Sequence, residues 1–138
     1  MSYLLDTCVF AEYSNPKPVQ TVVDWLDVQS DESLYISVLT IGEIEKGIVK
    51  LPSSKRRTGL ESLLEQLLLR YDSRIVDLDR NILKNWGRLT GQLEKTGRPL
   101  PVIDSLLAAT ALERDLTLVT RNESDFHSTG VKILNIWQ

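Results

Sequence analysis

Cysteine and histidine are almost absent from this sequence. Its 138 residues include one cysteine, Cys8, and one histidine, His127. A single cysteine excludes an internal disulfide framework and fits a reducing compartment, so we expect the protein in the cytoplasm. Because structural zinc sites are built mainly from thiolate and imidazole ligands, the sequence also excludes such a site. Any metal must be held by oxygen atoms, which favours Mg²⁺ or Mn²⁺.

Long apolar segments are missing as well. No run approaches the roughly 20 apolar residues of a membrane helix, and the first residues lack the basic and apolar segments of a secretory signal. Charge of one sign does not dominate either, since 16 basic and 19 acidic residues give a net charge of −3. This balance argues against a nucleic-acid partner only if the acids are evenly spread, because acids gathered at one site would leave the rest close to neutral.

Short apolar runs alternate with helical patterns along the chain. We predict strands over residues 3–5, 34–38, 75–78, 116–119 and 131–136. Helical spacing of apolar residues predicts helices over about 8–13, 19–29, 40–51, 60–68, 80–96 and 101–112. Asp79 is a candidate cap for the fifth helix, which we expect to end near Gly97. Without hairpin signals between the strands, this alternation indicates an α/β fold with a parallel sheet.

The longest apolar stretch, residues 100–112, contains a single carboxylate. Pro99 and Pro101 fit a helix entrance, where a missing amide hydrogen costs nothing. From Ile103 onward the residues are apolar or small on almost every face, which predicts a buried helix. Asp104 lies in its first turn, in surroundings where an unpaired acid is rare. Two explanations remain open: Asp104 offsets the helix dipole, or it joins other acids in a functional site.

Three further acids could reach the same sheet edge as Asp104. Asp6 follows the first strand, Glu43 lies in the helix after the second, and Asp125 follows the fourth. Ligands of parallel α/β sheets bind outside the carboxyl ends of the strands. Each acid alone could be a helix cap, a solvated side chain or a turn residue. A cluster would need cations, since two carboxylates about 5 Å apart repel by roughly 3 kcal/mol at an effective dielectric near 20.

Four segments around these acids carry a resemblance to a known family. They are residues 3–9 (YLLDTCV), 40–47 (TIGEIEKG), 102–109 (VIDSLLAA) and 118–126 (LVTRNESDF). In order and spacing the chain resembles the PIN domain and, within that family, the VapC-type toxins of type II toxin–antitoxin pairs. The resemblance implies a single PIN-like domain over residues 1–138. Its expected fold is a three-layer α/β/α sandwich with a central, mostly parallel sheet of four to five short strands.

The resemblance also implies a magnesium-dependent endoribonuclease that cuts RNA by attack of a metal-activated water, with Mn²⁺ as a plausible substitute. It implies Asp6, Glu43 and Asp104 as metal ligands. Thr7 and Thr120 would hydrogen-bond these ligands or their water shell.

The fourth acidic position departs from the strictest family pattern. Many relatives have Asp where Asn122 stands, and an amide can coordinate or hydrogen-bond but brings no charge. We therefore expect Asn122 to orient a ligand and Asp125 to act through water. Occupancy of a second metal site stays an open alternative.

RNA binding needs cations near the acidic cleft. Arg121, which adjoins Asn122, is the best-placed candidate, and Lys46, one turn from Glu43, is the next. The basic run at residues 55–57 could steer RNA or be a solvated loop. Trp25, Trp86 and Trp137 could stack on nucleobases, but their helical or terminal positions favour core packing or a subunit contact, above all for Trp25 and Trp86.

The resemblance further implies two protein partners. One is a small antitoxin that occupies the cleft with a basic side chain. The other is a second copy of the chain in a homodimer, with a higher toxin–antitoxin assembly as the alternative. The apolar helices over residues 19–26 and 60–68 are candidate interfaces.

Two other functions compete with a nuclease. A haloacid-dehalogenase-like phosphatase also has Asp after its first strand, but it needs a second Asp where this chain has Cys8. A non-catalytic PIN-fold module that binds RNA or a partner remains an alternative, which the sequence does not exclude. A Ser–His or Cys–His nucleophile is not indicated, because His127 has no partner that the sequence identifies.

Overall fold

Five short parallel strands form the centre of the computed structural model, which describes residues 1–138. Their order across the sheet is β3-β2-β1-β4-β5, and every neighbouring pair is parallel. The strands are β1 (Tyr3–Leu5), β2 (Leu34–Ser37), β3 (Ile75–Val76), β4 (Thr117–Val119) and β5 (Ile133–Leu134). The predicted parallel α/β sheet is therefore confirmed.

Seven helices surround the sheet, and none of them is both long and apolar enough to cross a bilayer. They are α1 (Thr7–Tyr13), α2 (Gln20–Val28), α3 (Val38–Val49), α4 (Lys55–Arg70), α5 (Arg80–Lys95), α6 (Val102–Arg114) and α7 (Glu123–Phe126).

Neighbouring residues of the central strand pack into different cores. Leu5 belongs to the apolar cluster that contains side chains of α1, α2 and α4. Leu4 belongs to the cluster that contains side chains of α6 and α7. Successive side chains of a strand point to opposite faces, so the sheet is covered on both sides. The three-layer α/β/α prediction is confirmed.

The predicted boundaries of α5 are confirmed by its end groups. Asp79 Oδ1 accepts a hydrogen bond from the Ile82 amide at 2.9 Å. At the other end Gly97 has a φ of +72°, which a side chain would disfavour, and the Arg98 amide closes the helix on the Leu93 carbonyl at 2.8 Å.

Several predicted boundaries were wrong. The basic run at residues 55–57 is the first turn of α4 and not a loop, because Ser54 Oγ accepts from the Arg57 amide and caps a helix start there. The last strand covers only residues 133–134 of the predicted 131–136, and the third only residues 75–76 of 75–78. The first turn of α6 is not buried: Val102 is 61% exposed and Ile103 38% exposed, and full burial begins at Ser105.

Candidate active site

Asp6 is fixed at both oxygens of its carboxylate. It follows β1 directly, and its own amide continues the pairing with β4 through the Val119 carbonyl at 3.0 Å. Asp6 Oδ1 accepts from the Thr7 amide at 2.7 Å, and Oδ2 accepts from Thr120 Oγ1 at 2.8 Å. The side chain is buried. Asp6 thus caps α1 with one oxygen and is locked toward β4 by the other.

Glu43 is brought to the same edge by a hydroxyl of α1. It lies on the exposed side of α3, and its Oε1 accepts from Thr7 Oγ1 at 2.6 Å. The buried Thr40 hydroxyl lies 3.5 Å from that of Thr7. These contacts join the starts of α1 and α3, so Thr7 is shared between the elements that carry Asp6 and Glu43.

Asp104 feels the charges of the other three acids. It is half-buried in the first turn of α6. Burial raises the pKa of its carboxyl above the usual value, and the negative charges of Asp6, Asp125 and Glu43 raise it further. A helix N-terminus alone favours the ionised form and would lower the pKa. Asp104 is therefore exposed both to the helix dipole and to the charges of three other acids.

Asp125 lies on α7, a short helix in a segment where the sequence suggested only a turn. Its side chain is exposed, and its amide donates to the Asn122 carbonyl at 3.1 Å. Asn122 touches the site through its backbone, because its amide donates to Thr120 Oγ1 at 3.1 Å. The Asn122 side chain makes no hydrogen bond within the chain, so its expected role toward a ligand remains a prediction.

None of the four acids has a cationic partner. The ion pairs of the chain all lie elsewhere: Arg57–Glu61, Arg70–Asp31, Arg114–Asp79 and Lys132–Asp115. As the side chains stand, no three acids are close enough to enclose one ion. Mg²⁺ usually takes one or two protein carboxylates and keeps several waters. This uncompensated set of oxygen ligands therefore fits a hard divalent cation that is bound partly through water.

Cys8 does not offer a nucleophile beside the acids. Burial, and then the charge of Asp6, raise the pKa of its thiol to about 11. A thiol is a strong nucleophile only as the thiolate, and this one stays protonated near neutral pH.

A groove of about 510 Å³ adjoins Glu43 along α3. Its lining includes Lys46 and Lys50, neither of which joins an ion pair, and apolar side chains such as Leu39 and Ile103. A cavity of similar volume, about 540 Å³, is lined by Ser2, Thr117 and other residues at the starts of the strands, and it contains none of the four acids. The two cavities have similar volumes, but only the groove along α3 is lined by one of the four acids, Glu43. We therefore assign the candidate site to the acids.

Two contacts at the site were not predicted from the sequence. Trp86 Nε1 donates to Ser105 Oγ at 2.9 Å and so ties α5 to the turn that carries Asp104. The Arg121 guanidinium lies over the ring of Trp137, 5.4 Å from its centroid. Both pairs join residues at least 16 positions apart, and no local pattern identifies them.

Known proteins of similar sequence show the family to which this chain belongs. Residues 3–132 match the family model of the PIN domain. The chain belongs to the PIN-domain family. The plasmid stability protein StbB of Pseudomonas syringae pv. tomato is 33% identical over 136 residues, which cover 98% of both chains.

The similarity extends to VapC-type members of the family, as the sequence motifs predicted. VapC ribonuclease Y4jK of Sinorhizobium fredii is 32% identical over 136 residues, 98% of this chain and 97% of the relative. Toxin FitB of Neisseria gonorrhoeae is 32% identical over 135 residues, 97% of both chains. The crystal structure of FitAcB from that organism superposes with a TM-score of 0.92 at 31% identity, covering 99% of both chains.

Proposed function

We propose that this protein is a Mg²⁺-dependent endoribonuclease, the toxin component of a VapBC-like type II toxin–antitoxin pair. The observation that carries the proposal is the convergence of three carboxylate charges on Asp104 without any cation to balance them. Relatives that are named ribonuclease and toxin supply the class of substrate and the biological role.

Asp6, Glu43 and Asp104 are the proposed ligands of Mg²⁺, for which Mn²⁺ can substitute. A divalent cation bound there supplies charge stabilisation at the phosphate and activation of a water molecule. Thr120 holds the Asp6 carboxylate and Thr7 holds that of Glu43. Such hydrogen bonds orient ligands before the substrate arrives and commonly change metal affinity by about 10- to 100-fold.

Asp125 and Asn122 complete the proposed site at the end of β4. The charge of the exposed Asp125 carboxylate raises the pKa of Asp104. The proposed role of Asp125 is to act through water. The free Asn122 side chain is available to a phosphate oxygen or a water.

RNA would follow the groove along α3. Lys46 and Lys50 are one turn apart and unpaired, so both can contact phosphates. The apolar lining, which includes Val38 and Leu39, offers contact area to nucleobases. Arg121 is the proposed phosphate contact on the other side of the acids.

The proposed partners are an antitoxin, which would place a basic side chain among the acids, and a second copy of the chain. The helices α2 and α4 were expected to offer apolar surface to a partner. Three of their apolar side chains, Val22, Leu64 and Leu67, are instead buried in the chain's own core. The exposed Val102 and Ile103 beside the cleft are a better candidate for the homodimer contact. The proposed compartment is the cytoplasm.

Cleavage of a labelled single-stranded RNA by the purified protein tests the proposed activity. We expect cleavage with Mg²⁺, none in EDTA, and a loss of at least about 100-fold in Asp104→Asn, because the variant removes a ligand charge and little volume. Asp115→Asn is the matched control, since that acid is exposed and pairs with Lys132. Equal cleavage by Asp104→Asn, or in chelator, would overturn the metal mechanism. Metal-independent RNA binding without cleavage would instead favour the non-catalytic module.

A further inference from the structure

Arg121 starts from the edge of the acid site. It follows Thr120, whose hydroxyl holds Asp6. The residue is exposed. Its side chain nevertheless pairs with no carboxylate. A flexible arginine one residue from such a site would ordinarily be drawn to the acids, so something holds it elsewhere.

Trp137 provides that restraint. The Arg121 guanidinium carbon is 5.4 Å from the centroid of the indole ring, within the roughly 6 Å range of a cation–π contact. Stacking uses the flat face of the guanidinium, while its N–H donors lie in the plane and point outward. The contact therefore leaves the donor edge of Arg121 available to a phosphate, which such an edge can bind with two parallel hydrogen bonds.

The indole is itself held firmly. Trp137 packs against the apolar core that includes Leu5, and its amide donates to Asn135 Oδ1 at 2.9 Å. Asn135 Nδ2 in turn donates to Glu123 Oε2 at 3.2 Å, which ties this segment to α7. The indole N–H is buried without a partner, so packing and not a side-chain hydrogen bond fixes the ring.

We propose that Trp137 is a positioning residue that holds Arg121 off the acids and presents its donor edge to an RNA phosphate next to the scissile one. Arg121 contacts the substrate, and Trp137 acts only through Arg121. The inference rests on the proposed function for the identity of the ligand. It adds Trp137 as the side chain that determines where Arg121 contacts a phosphate.

The test compares the affinity of four variants for a labelled single-stranded RNA, measured in the Asp104→Asn background so that no cleavage occurs. Arg121→Gln removes the contact. Trp137→Leu keeps an apolar side chain but removes the π face, whereas Trp137→Phe keeps the π face. The fourth is the double variant Arg121→Gln/Trp137→Leu. Arg80→Gln, an exposed arginine at the start of α5, controls for the loss of one charge.

We expect Arg121→Gln and Trp137→Leu each to weaken RNA binding by about two- to fivefold, the range of one exposed cation–π or phosphate contact. The double variant should bind like Arg121→Gln alone, and Trp137→Phe like the parent. In active protein the same changes should raise KM and leave kcat within about twofold. Circular dichroism melts confirm that each variant is folded.

The inference would be overturned if the losses of RNA affinity in the two single variants multiplied in the double variant. It would also be overturned if Trp137→Leu bound RNA as tightly as the parent. If Arg121→Gln and Arg80→Gln lost the same RNA affinity, Arg121 would act only through its contribution to the net charge. That result would also overturn the inference. The nuclease proposal fails separately, when the parent binds RNA but does not cleave it, and the binding comparison then still decides the role of Trp137.

Discussion

At the scale of single residues, Asp6 shows how a structural and a functional role coincide. One carboxylate oxygen caps α1 and the other accepts from Thr120. A cap needs only one oxygen, so the second hydrogen bond is not explained by the helix. The carboxylate is held in one rotamer at the point where β1 ends, which is what a metal ligand requires.

Thr120→Val tests that second hydrogen bond. The change keeps the shape of the side chain and removes the hydroxyl that donates to Asp6. We expect Mg²⁺ affinity to fall by about 10- to 100-fold, the usual effect of removing a group that orients a ligand, as measured by titration calorimetry. Thr117→Val is the control, since this threonine at the start of β4 is also buried but makes no hydrogen bond to any of the acids. Unchanged affinity in Thr120→Val would show that Asp6 does not depend on this contact.

Tyr71 is a buried residue whose polar atom contributes no hydrogen bond. Its ring is fully buried in the core and its hydroxyl has no partner. An unsatisfied buried polar group costs about 1–3 kcal/mol. We therefore expect Tyr71→Phe to raise the free energy of unfolding in urea by about 1 kcal/mol, with Tyr35→Phe, a half-buried tyrosine, as the control. A less stable Tyr71→Phe would mean that the hydroxyl has a partner after all.

Tyr71 also makes the stability of the folded protein depend on pH. Burial raises the pKa of the Tyr71 phenol from its ordinary 10.0 to about 12. Below pH 10 the phenol is neutral in both the folded and the unfolded chain, and above that the unfolded chain ionises first. The parent should therefore lose stability between pH 10 and 12. Tyr71→Phe should lose less in that window, and identical alkaline profiles of the two proteins would contradict the assignment.

The motifs indicate the acids and two hydroxyls that contact them, those of Thr7 and Thr120, but not the contacts that lie farther from the acids. Asp6, Glu43 and Asp104 stand in motifs that identify them. Trp86 and Trp137 stand in no comparable pattern, because their roles depend on contacts made only after folding. The pairing of Arg121 with Trp137 spans 16 residues across a helix and a strand, so local spacing carries no signal for it.

At the scale of elements, the acidic side chains of the site lie at or near the first turns of helices. Asp6 caps α1, Asp104 lies in the first turn of α6, and Glu43 lies in the second turn of α3. In a parallel sheet the strand ends feed such helix starts on one edge. At α1 the acid is itself the cap, and at α3 the cap Ser37 fixes the helix start that precedes Glu43.

Ser37→Ala tests this link between capping and site geometry. Ser37 Oγ accepts from the Leu39 amide at 3.0 Å and caps α3. Loss of the cap should cost about 1 kcal/mol of unfolding free energy, and it should also weaken Mg²⁺ binding, because α3 carries Glu43. Ser54→Ala removes the cap of α4 and is the matched control. It should cost similar stability without changing Mg²⁺ affinity, and equal effects of both variants on affinity would contradict the proposed link.

The existence of the longer elements could be predicted, whereas some of their ends could not. The apolar period of α5 and its end signals at Asp79 and Gly97 agreed, so both boundaries were found. At α4 the apolar period begins only at Leu60, and the polar first turn was therefore assigned to a loop. The short helix α7 has too few residues for any period to show.

At the scale of the whole molecule, strand order explains why distant segments meet. The central strand β1 lies between β2 and β4. Residues that follow each of these three strands belong to the site, namely Asp6, Glu43 and Asp125. Parallel connections with helices made this arrangement predictable from the sequence. The strand order itself was not predicted, because the strands are too short to indicate their neighbours.

The oligomeric state tests the apolar surface beside the cleft. The protein should sediment as a dimer at micromolar concentration, because Val102 and Ile103 are exposed apolar side chains next to the groove. Ile103→Asp should shift the equilibrium to monomer. Leu69→Asp is the control, since Leu69 on α4 is 81% exposed and lies on another element. A monomeric parent would remove this surface as a dimer contact.

Calorimetric titration of Mg²⁺ into the protein tests the central claim most directly, because that claim is that the converging acids form a cation site. The account predicts saturable binding that is lost in Asp6→Asn and in Asp104→Asn and kept in Asp115→Asn. It also predicts that saturating Mg²⁺ stabilises the fold, by about 2.7 kcal/mol when its concentration is 100 times Kd. Absence of binding in the parent, or equal binding by Asp104→Asn, would contradict it.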